Sequence, residues 1–375
     1  MGRLLNAGEA LARNALLMPR KIGARDLERS MTYQQWNRRA CRLANALLGL
    51  GLGKGERVAI LAYNCIEWLE IYPALAKAGL VAVPINFRLV GREIAYILQD
   101  SGARALIVQA PLLAPIEEIR DGLGVPTGRF VVFGAGAAVT GYLDYEALLG
   151  RASDAEPAVP VGPDDTAAML YTSGTTGSPK GAMRSHGAEA VLPLLIGLGF
   201  GFTRDEIGLL VMPLCHANSL WFATAIAALG GSLVVHSRPS FDPELLQRVL
   251  AEQGITFTSL VPTHYIMLNA LPEGTRARHD VRGVRRLMIS SAPARPDTKR
   301  AIMAQFPNSQ LFEGYGATEA GWVTLLRPEE QLSRLGSIGR EWPGTEAVRL
   351  LDADGAEVPD GAVGELHFNT PAAFQ

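Results

Sequence analysis

Short apolar runs alternate with helix-spaced segments through the first half of the chain, and this alternation constrains the fold most. Thr32-x-x-Gln35 has the form of a capping box. Trp36, Ala40, Leu43 and Leu47 follow at helical spacing, until glycines at 49, 51 and 53 stop the helix. The run at 57–62 reads as a buried strand. Asn64 stands three residues before Glu67 as a second cap-like start, with Trp68, Ile71 and Leu75 on one helical face. Segments 80–84, 92–99 and 105–108 continue as strand, helix and strand. This order predicts an α/β chain whose mostly parallel sheet is covered by helices on both faces.

A chain of 375 residues predicts two or three packed units. Residues 151–165 are rich in Pro, Ala and Asp without apolar periodicity and read as a linker. That leaves a first α/β unit at 1–150 and a second at 166–334. The second carries strand signals at 232–236, 256–261 and 286–290, and helix signals at 243–252 and 296–305, each opening on a proline. From about 335 the pattern turns to short strands with turns at Asp354-Gly355 and Asp360-Gly361, a small β-rich unit at 335–375. A formal net charge of -2 gives no electrostatic footprint for nucleic acid or anionic membrane. Cys41, Cys65 and Cys215 lie far apart, against a disulfide framework or a zinc site. The most apolar stretch, 188–202, is short for a span and is broken by Pro193 and three glycines. A cytoplasmic protein without stable membrane insertion is expected.

The chemistry is most legible in the string Tyr171-Thr-Ser-Gly-Thr-Thr-Gly-Ser-Pro-Lys-Gly181, which follows an apolar strand. Its glycines let backbone N–H groups converge on an anion. Thr172, Ser173, Thr175, Thr176 and Ser178 add hydroxyls around Gly174 and Gly177, and Lys180 adds a charge that can pair with phosphate. Gly181 follows the lysine, so the string is not a P-loop of the GxxxxGK[ST] kind.

A second string, Phe312-Glu-Gly-Tyr-Gly-Ala-Thr-Glu319, places Tyr315 between Gly314 and Gly316, with room for the ring to lie flat on a base. Glu313 precedes them. Thr318 offers a hydroxyl to phosphate, and Glu319 offers the carboxylate that Mg²⁺ takes together with substrate phosphates. Ser290-Ser291-Ala292-Pro293 is a small-residue loop after a strand. The segment from Met212 to Trp221 carries His216, Asn218 and Trp221.

Together these strings resemble the adenylate-forming enzymes: acyl-CoA synthetases, luciferases and the adenylation domains of peptide synthetases. The resemblance runs over nearly the whole chain. It implies the large N-terminal part of that fold, two helix-covered, mostly parallel sheets plus a small β-rich subdomain. It also implies that the loop 171–181 grips the β- and γ-phosphates of ATP, with Thr175 and Glu319 at Mg²⁺. Ser291–Pro293, Glu313–Gly316 and Thr318 would border the nucleotide. Where Ser290 or Ser291 stands the family usually has glycine. His216 is implied to gate or orient the acid, with Thr318, Glu319, His216 and Lys180 as the catalytic set. The acyl pocket would be lined by His216, Asn218, Trp221, Tyr265 of a helix at 263–271, and Trp322.

A carboxylic acid is already ionised at neutral pH and needs positioning rather than a base. Residues 211–225 contain no acidic residue, so an α-ammonium would find no partner there. Fatty, aryl or alicyclic acids are therefore the expected substrates, with ATP and CoA as co-substrates, no nucleic-acid partner, and a homodimer left open. The alternatives are an acyl-AMP ligase that loads a carrier protein, and a catalytically silent nucleotide- or acyl-binding module. The family's Thr-Gly-Asp ribose motif and its C-terminal lobe with the adenylating lysine have no match before Gln375. The expectation is that this chain alone turns over weakly or not at all.

Overall fold

In the structure, a computed structural model describing residues 3–172 and 178–374, the run at 57–62 forms the strand Arg57–Leu61. All of it but the first residue is buried. Such burial is what a strand covered on both faces requires. It lies near the middle of a seven-stranded sheet ordered Leu143–Asp144, Phe130–Phe133, Ala105–Gln109, Arg57–Leu61, Val81–Ile85, Thr166–Thr172, Lys180–Ser185. Every pairing in it is parallel except the last.

A nine-stranded sheet is ordered Arg340–Glu341, Gly321–Leu326, Gln310–Ala317, Arg286–Ile289, Phe257–Leu260, Ile207–Leu210, Ser232–Val235, Ile22–Arg25, Ser30–Thr32. Its centre is parallel and its margins antiparallel. A separate hairpin pairs Arg349–Leu351 with Glu365–His367. The expected architecture of two mostly parallel sheets and a small β-rich element is therefore present.

The sheets do not part at 151–165. Ile22–Arg25 and Ser30–Thr32 close an edge of the nine-stranded sheet, Ala24 pairing with Leu233. Thr166–Thr172 and Lys180–Ser185, beyond the expected linker, complete the seven-stranded sheet. The segment 151–165 crosses the surface, and Asn45 donates to its Ser153 and Ala155 carbonyls at 2.8 and 2.9 Å. Its lack of apolar pattern marks that exposed path rather than a boundary between sheets.

Local signals set the helix starts where their partners are close in sequence. Thr32 accepts from the Gln35 N–H at 3.2 Å, and Gln35 accepts from the Thr32 N–H at 2.8 Å, opening helix Tyr33–Gly49. Asp242 caps helix Pro243–Glu252, and Pro296 opens helix Pro296–Gln305. Asn64 departs from expectation, because helix Glu67–Ala78 begins without a side-chain cap. Its amide instead donates to the Val211 and Met212 carbonyls at 3.2 and 3.0 Å and accepts the Leu214 N–H at 2.8 Å. A buried backbone stretch needing partners thus claims the side chain. No helix of the described residues is long and apolar enough to cross a membrane.

Candidate active site

The strands Thr166–Thr172 and Lys180–Ser185 flank the glycine- and hydroxyl-rich string, with Thr172 opposite Lys180 in register. Ser173, Gly174, Thr175, Thr176 and Gly177 lie outside the described residues. Lys180 is exposed, and the Tyr96 hydroxyl holds the Pro179 carbonyl at 3.0 Å. The Thr172 hydroxyl donates to Glu319 Oε1 at 3.1 Å, which joins this hairpin to the second motif. A second tie is Arg184 on strand Lys180–Ser185. Its fully buried guanidinium pairs with Glu189, donates to the Thr318 carbonyl at 3.1 Å, and lies 5.1 Å from the centre of the Trp221 ring.

One cleft of about 490 Å³ gathers most of the expected site. Its walls bring together His216, Asn218 and Trp221 with Ser290–Pro293, Glu313–Thr318 and Trp322. Tyr315, on strand Gln310–Ala317, leaves 41% of its surface open. Its flanking glycines serve the wall rather than the ring. A Cβ on Gly314 would lie 2.3 Å from Met288 Cε, and one on Gly316 would lie 2.6 Å from the Gly321 carbonyl. The backbone carbonyl cannot give way, so glycine is required at 316, whereas at 314 the nearest atom is the movable end of Met288.

Ser291 has φ 68°, the left-handed region that favours glycine. That is the physical reason a glycine is expected in this loop. Ser290 is buried, and its Oγ accepts from the Asn218 amide at 2.6 Å. This bond fastens the loop Ser290–Pro293 to helix Ala217–Ala228 across the cleft. Trp221 and Trp322 meet edge to face at 6.1 Å, and Trp322 stacks on Trp342 at 5.4 Å.

Tyr265 departs from the expected pocket. It is fully buried in helix Pro262–Asn269, and its hydroxyl donates to the Met288 carbonyl at 3.0 Å. A phenol inside a core takes the nearest acceptor, so the ring supports strand Arg286–Ile289 from behind and does not line the cleft.

His216 stands before helix Ala217–Ala228 as its N-cap but makes no side-chain cap bond, which leaves the imidazole free. It lines the first cleft and also a second, of about 310 Å³, with Arg88, His236, Arg238 and His264. Desolvation, then the Arg88 charge, pull its pKa below the ordinary value, so it is neutral at pH 7. Among the described residues no group of three or more His, Cys, Asp or Glu could hold a metal. Glu319 still fits Mg²⁺, which shares its shell between a carboxylate or two, phosphate oxygens and water.

Composition and spacing read Asn64 only as a cap and missed Arg184, Arg88 and Lys299. Of these only Lys299 left a signal, since it stands three residues before the buried Ile302 and so shares its helix face.

The family model described as AMP-binding enzyme matches residues 11–375. The chain belongs to the AMP-binding enzyme family. Feruloyl-CoA synthase of Amycolatopsis sp is 33% identical over 363 residues, 96% of this chain and 69% of that protein. A long-chain-fatty-acid–CoA ligase of Thermus thermophilus is 34% identical over 394 residues, 99% of this chain and 70% of the relative. The crystal structure of the anthranilate CoA ligase AuaEII in complex with anthranoyl-AMP superposes with a TM-score of 0.93 at 27% identity, covering 100% of this chain and 71% of that one. Proteins similar to this chain are thus named as a feruloyl-CoA synthase, a long-chain-fatty-acid–CoA ligase and an anthranilate CoA ligase.

Proposed function

We propose that this AMP-binding enzyme activates a fatty, aryl or alicyclic acid as its acyl adenylate and passes the acyl group to CoA. The observation that carries the reading is the single cleft in which Asn218, Trp221 and Trp322 meet Ser291–Pro293 and Gly314–Thr318. An acid and a nucleotide placed end to end there have their reacting atoms side by side, which supplies the positioning the reaction needs. A carboxylate oxygen of the acid attacks the α-phosphorus of ATP, forming an O–P bond as the P–O bond to pyrophosphate breaks. The thiolate of CoA then attacks the acyl carbon and AMP leaves.

Each residue has a distinct part in this scheme. The Tyr315 ring stacks on adenine, with Glu313 and the backbone of Ser291–Pro293 at its edge. Thr318 donates to the α-phosphate, and Lys180 with the hydroxyls from Thr172 to Thr176 receives the outer phosphates. Glu319 and Thr175 would hold Mg²⁺, which neutralises charge on the departing pyrophosphate. Neutral His216, shared by two clefts, orients the acid and gates the path between them. Arg88 and Arg238 in the second cleft suit an acceptor thiol that carries phosphate.

Non-reacting adenylate mimics test the reading directly. Among the described residues the cleft wall contains one carboxylate, Glu313, which pairs with Lys299. The 3-phenylpropanoyl sulfamate of adenosine should bind, and the phenylalanyl sulfamate should bind on the order of a thousandfold more weakly, since its ammonium is buried unpaired. Equal affinity would overturn the substrate class. Failure of both mimics and of ATP to bind would overturn the activation itself. Thioester formation on a carrier protein but not on CoA would replace only the acceptor.

A further inference from the structure

Lys299 is among the most deeply buried large side chains of the chain, yet the scheme above gives it no part. It lies on helix Pro296–Gln305, 1% exposed, and its ammonium pairs with Glu313 Oε2. Burying a lysine costs desolvation, and such a pair is often replaceable by apolar residues with no loss of stability. Stability alone is therefore a poor reason for its presence. The position of its partner offers a better one.

Glu313 lines the cleft immediately before Gly314 and Tyr315. An ionised carboxylate has about four acceptor positions. One oxygen takes the Ala294 N–H at 3.4 Å, and the other faces Lys299. Oε1, whose partner among the described residues is that long contact alone, is left to serve a group in the cleft. The ammonium pairs with the carboxylate and holds its rotamer from behind.

A purine stacked on Tyr315 would present its six-membered edge to that acceptor. Adenine carries a donor amino group at position 6, whereas guanine and hypoxanthine carry an oxo acceptor. We propose that Lys299, acting through Glu313 as a positioning residue, sets the base selectivity of the nucleotide site. The pair accepts the 6-amino group and repels a 6-oxo group. This rests on the nucleotide reading of the cleft given above.

The test is equilibrium binding of MgATP and MgITP to the chain by calorimetry, with no acid present, so that catalysis is not needed. The wild type should prefer ATP by about tenfold or more, the scale of a hydrogen bond to a charged group. Lys299→Met leaves Glu313 buried alone and can lose the fold, so Lys299→Met/Glu313→Gln, which removes both charges, is made beside it. In either variant that folds, the preference should shrink to within about threefold of unity, and Lys299→Arg should restore it. A uniform loss of affinity for both nucleotides, with the ratio kept, would show that the pair is only scaffold and would overturn the proposal. Equal binding of ATP and ITP by the wild type would overturn it as well, while leaving the nucleotide site intact. Binding of neither nucleotide by the wild type would bring down the nucleotide reading and the proposal together.

Discussion

Arg184 offers the sharpest check on how the two motifs are tied together. Its side chain is 0% exposed and its partner Glu189 is 12% exposed, so the pair has little screening from solvent. Replacing Arg184 with Met keeps most of the volume but leaves Glu189 as a lone buried charge. Breaking a buried pair in this way costs about 3–5 kcal/mol. The lost donor to the Thr318 carbonyl is part of that figure rather than an addition to it. Arg184→Met/Glu189→Gln removes both charges and should recover all but about 1–2 kcal/mol, the share of the orphaned carbonyl. Urea unfolding of the wild type, both single variants and the double variant gives the coupling, expected to lie well above the few tenths of a kcal/mol seen for independent sites. ATP affinity should behave differently. It should fall in Arg184→Met and stay low in the double variant, because Thr318 lacks its anchor in both. Additive losses of stability in the cycle, or ATP affinity that recovers with stability, would refute the reasoning.

Two further outcomes follow from the described geometry. Ser291→Gly should raise stability by roughly 1 kcal/mol, because it relieves a left-handed serine, and Ser291→Ala should not; thermal melts of the three proteins decide this. His264, stacked on Phe241 and facing His236 and Arg88, is held to a pKa of about 4 by desolvation first and by those charges second, against an ordinary 6.5. The unfolded chain therefore binds the proton more readily, so stability is fully present above pH 6.5 and declines as pH falls toward 4. His264→Gln should flatten that part of the stability–pH curve, and an unchanged slope would count against it.

What the sequence made legible was local or carried by long motifs. The Thr32–Gln35 box was readable because both partners sit within one helical turn. The cleft was readable because the strings around Tyr315 and His216 each supply a wall as a unit. Asn64 looked like a cap and is a strut, since the groups it serves lie 147 to 150 residues away. Gly316 looked like room for a base, and it is also required by the backbone of the next strand of its own hairpin, a pairing that spacing alone does not register. Tyr265 looked like a pocket wall because its helix carries apolar residues on more than one side, and spacing alone does not say which of them faces the core. Which sheet each strand joins is likewise not legible, since pairing across long crossovers leaves no mark in either partner.

That crossing of strands between halves has a consequence for how the chain comes into being. Ile22 and Ser232 are 210 residues apart in sequence yet hydrogen-bonded in the finished sheet. At roughly 5–20 residues per second, synthesis leaves the first strand without its partner for about 10–40 s. The seven-stranded sheet, whose last strand ends at Ser185, can close while the other is still missing its centre. Ile22–Arg25, which has Ser30–Thr32 on one side, thus spends that interval with its other edge unpaired beside a finished neighbour, the condition in which strands find wrong partners. The first thirty residues are the earliest made, yet their place in the sheet opens only after Ser232–Val235 has been synthesised.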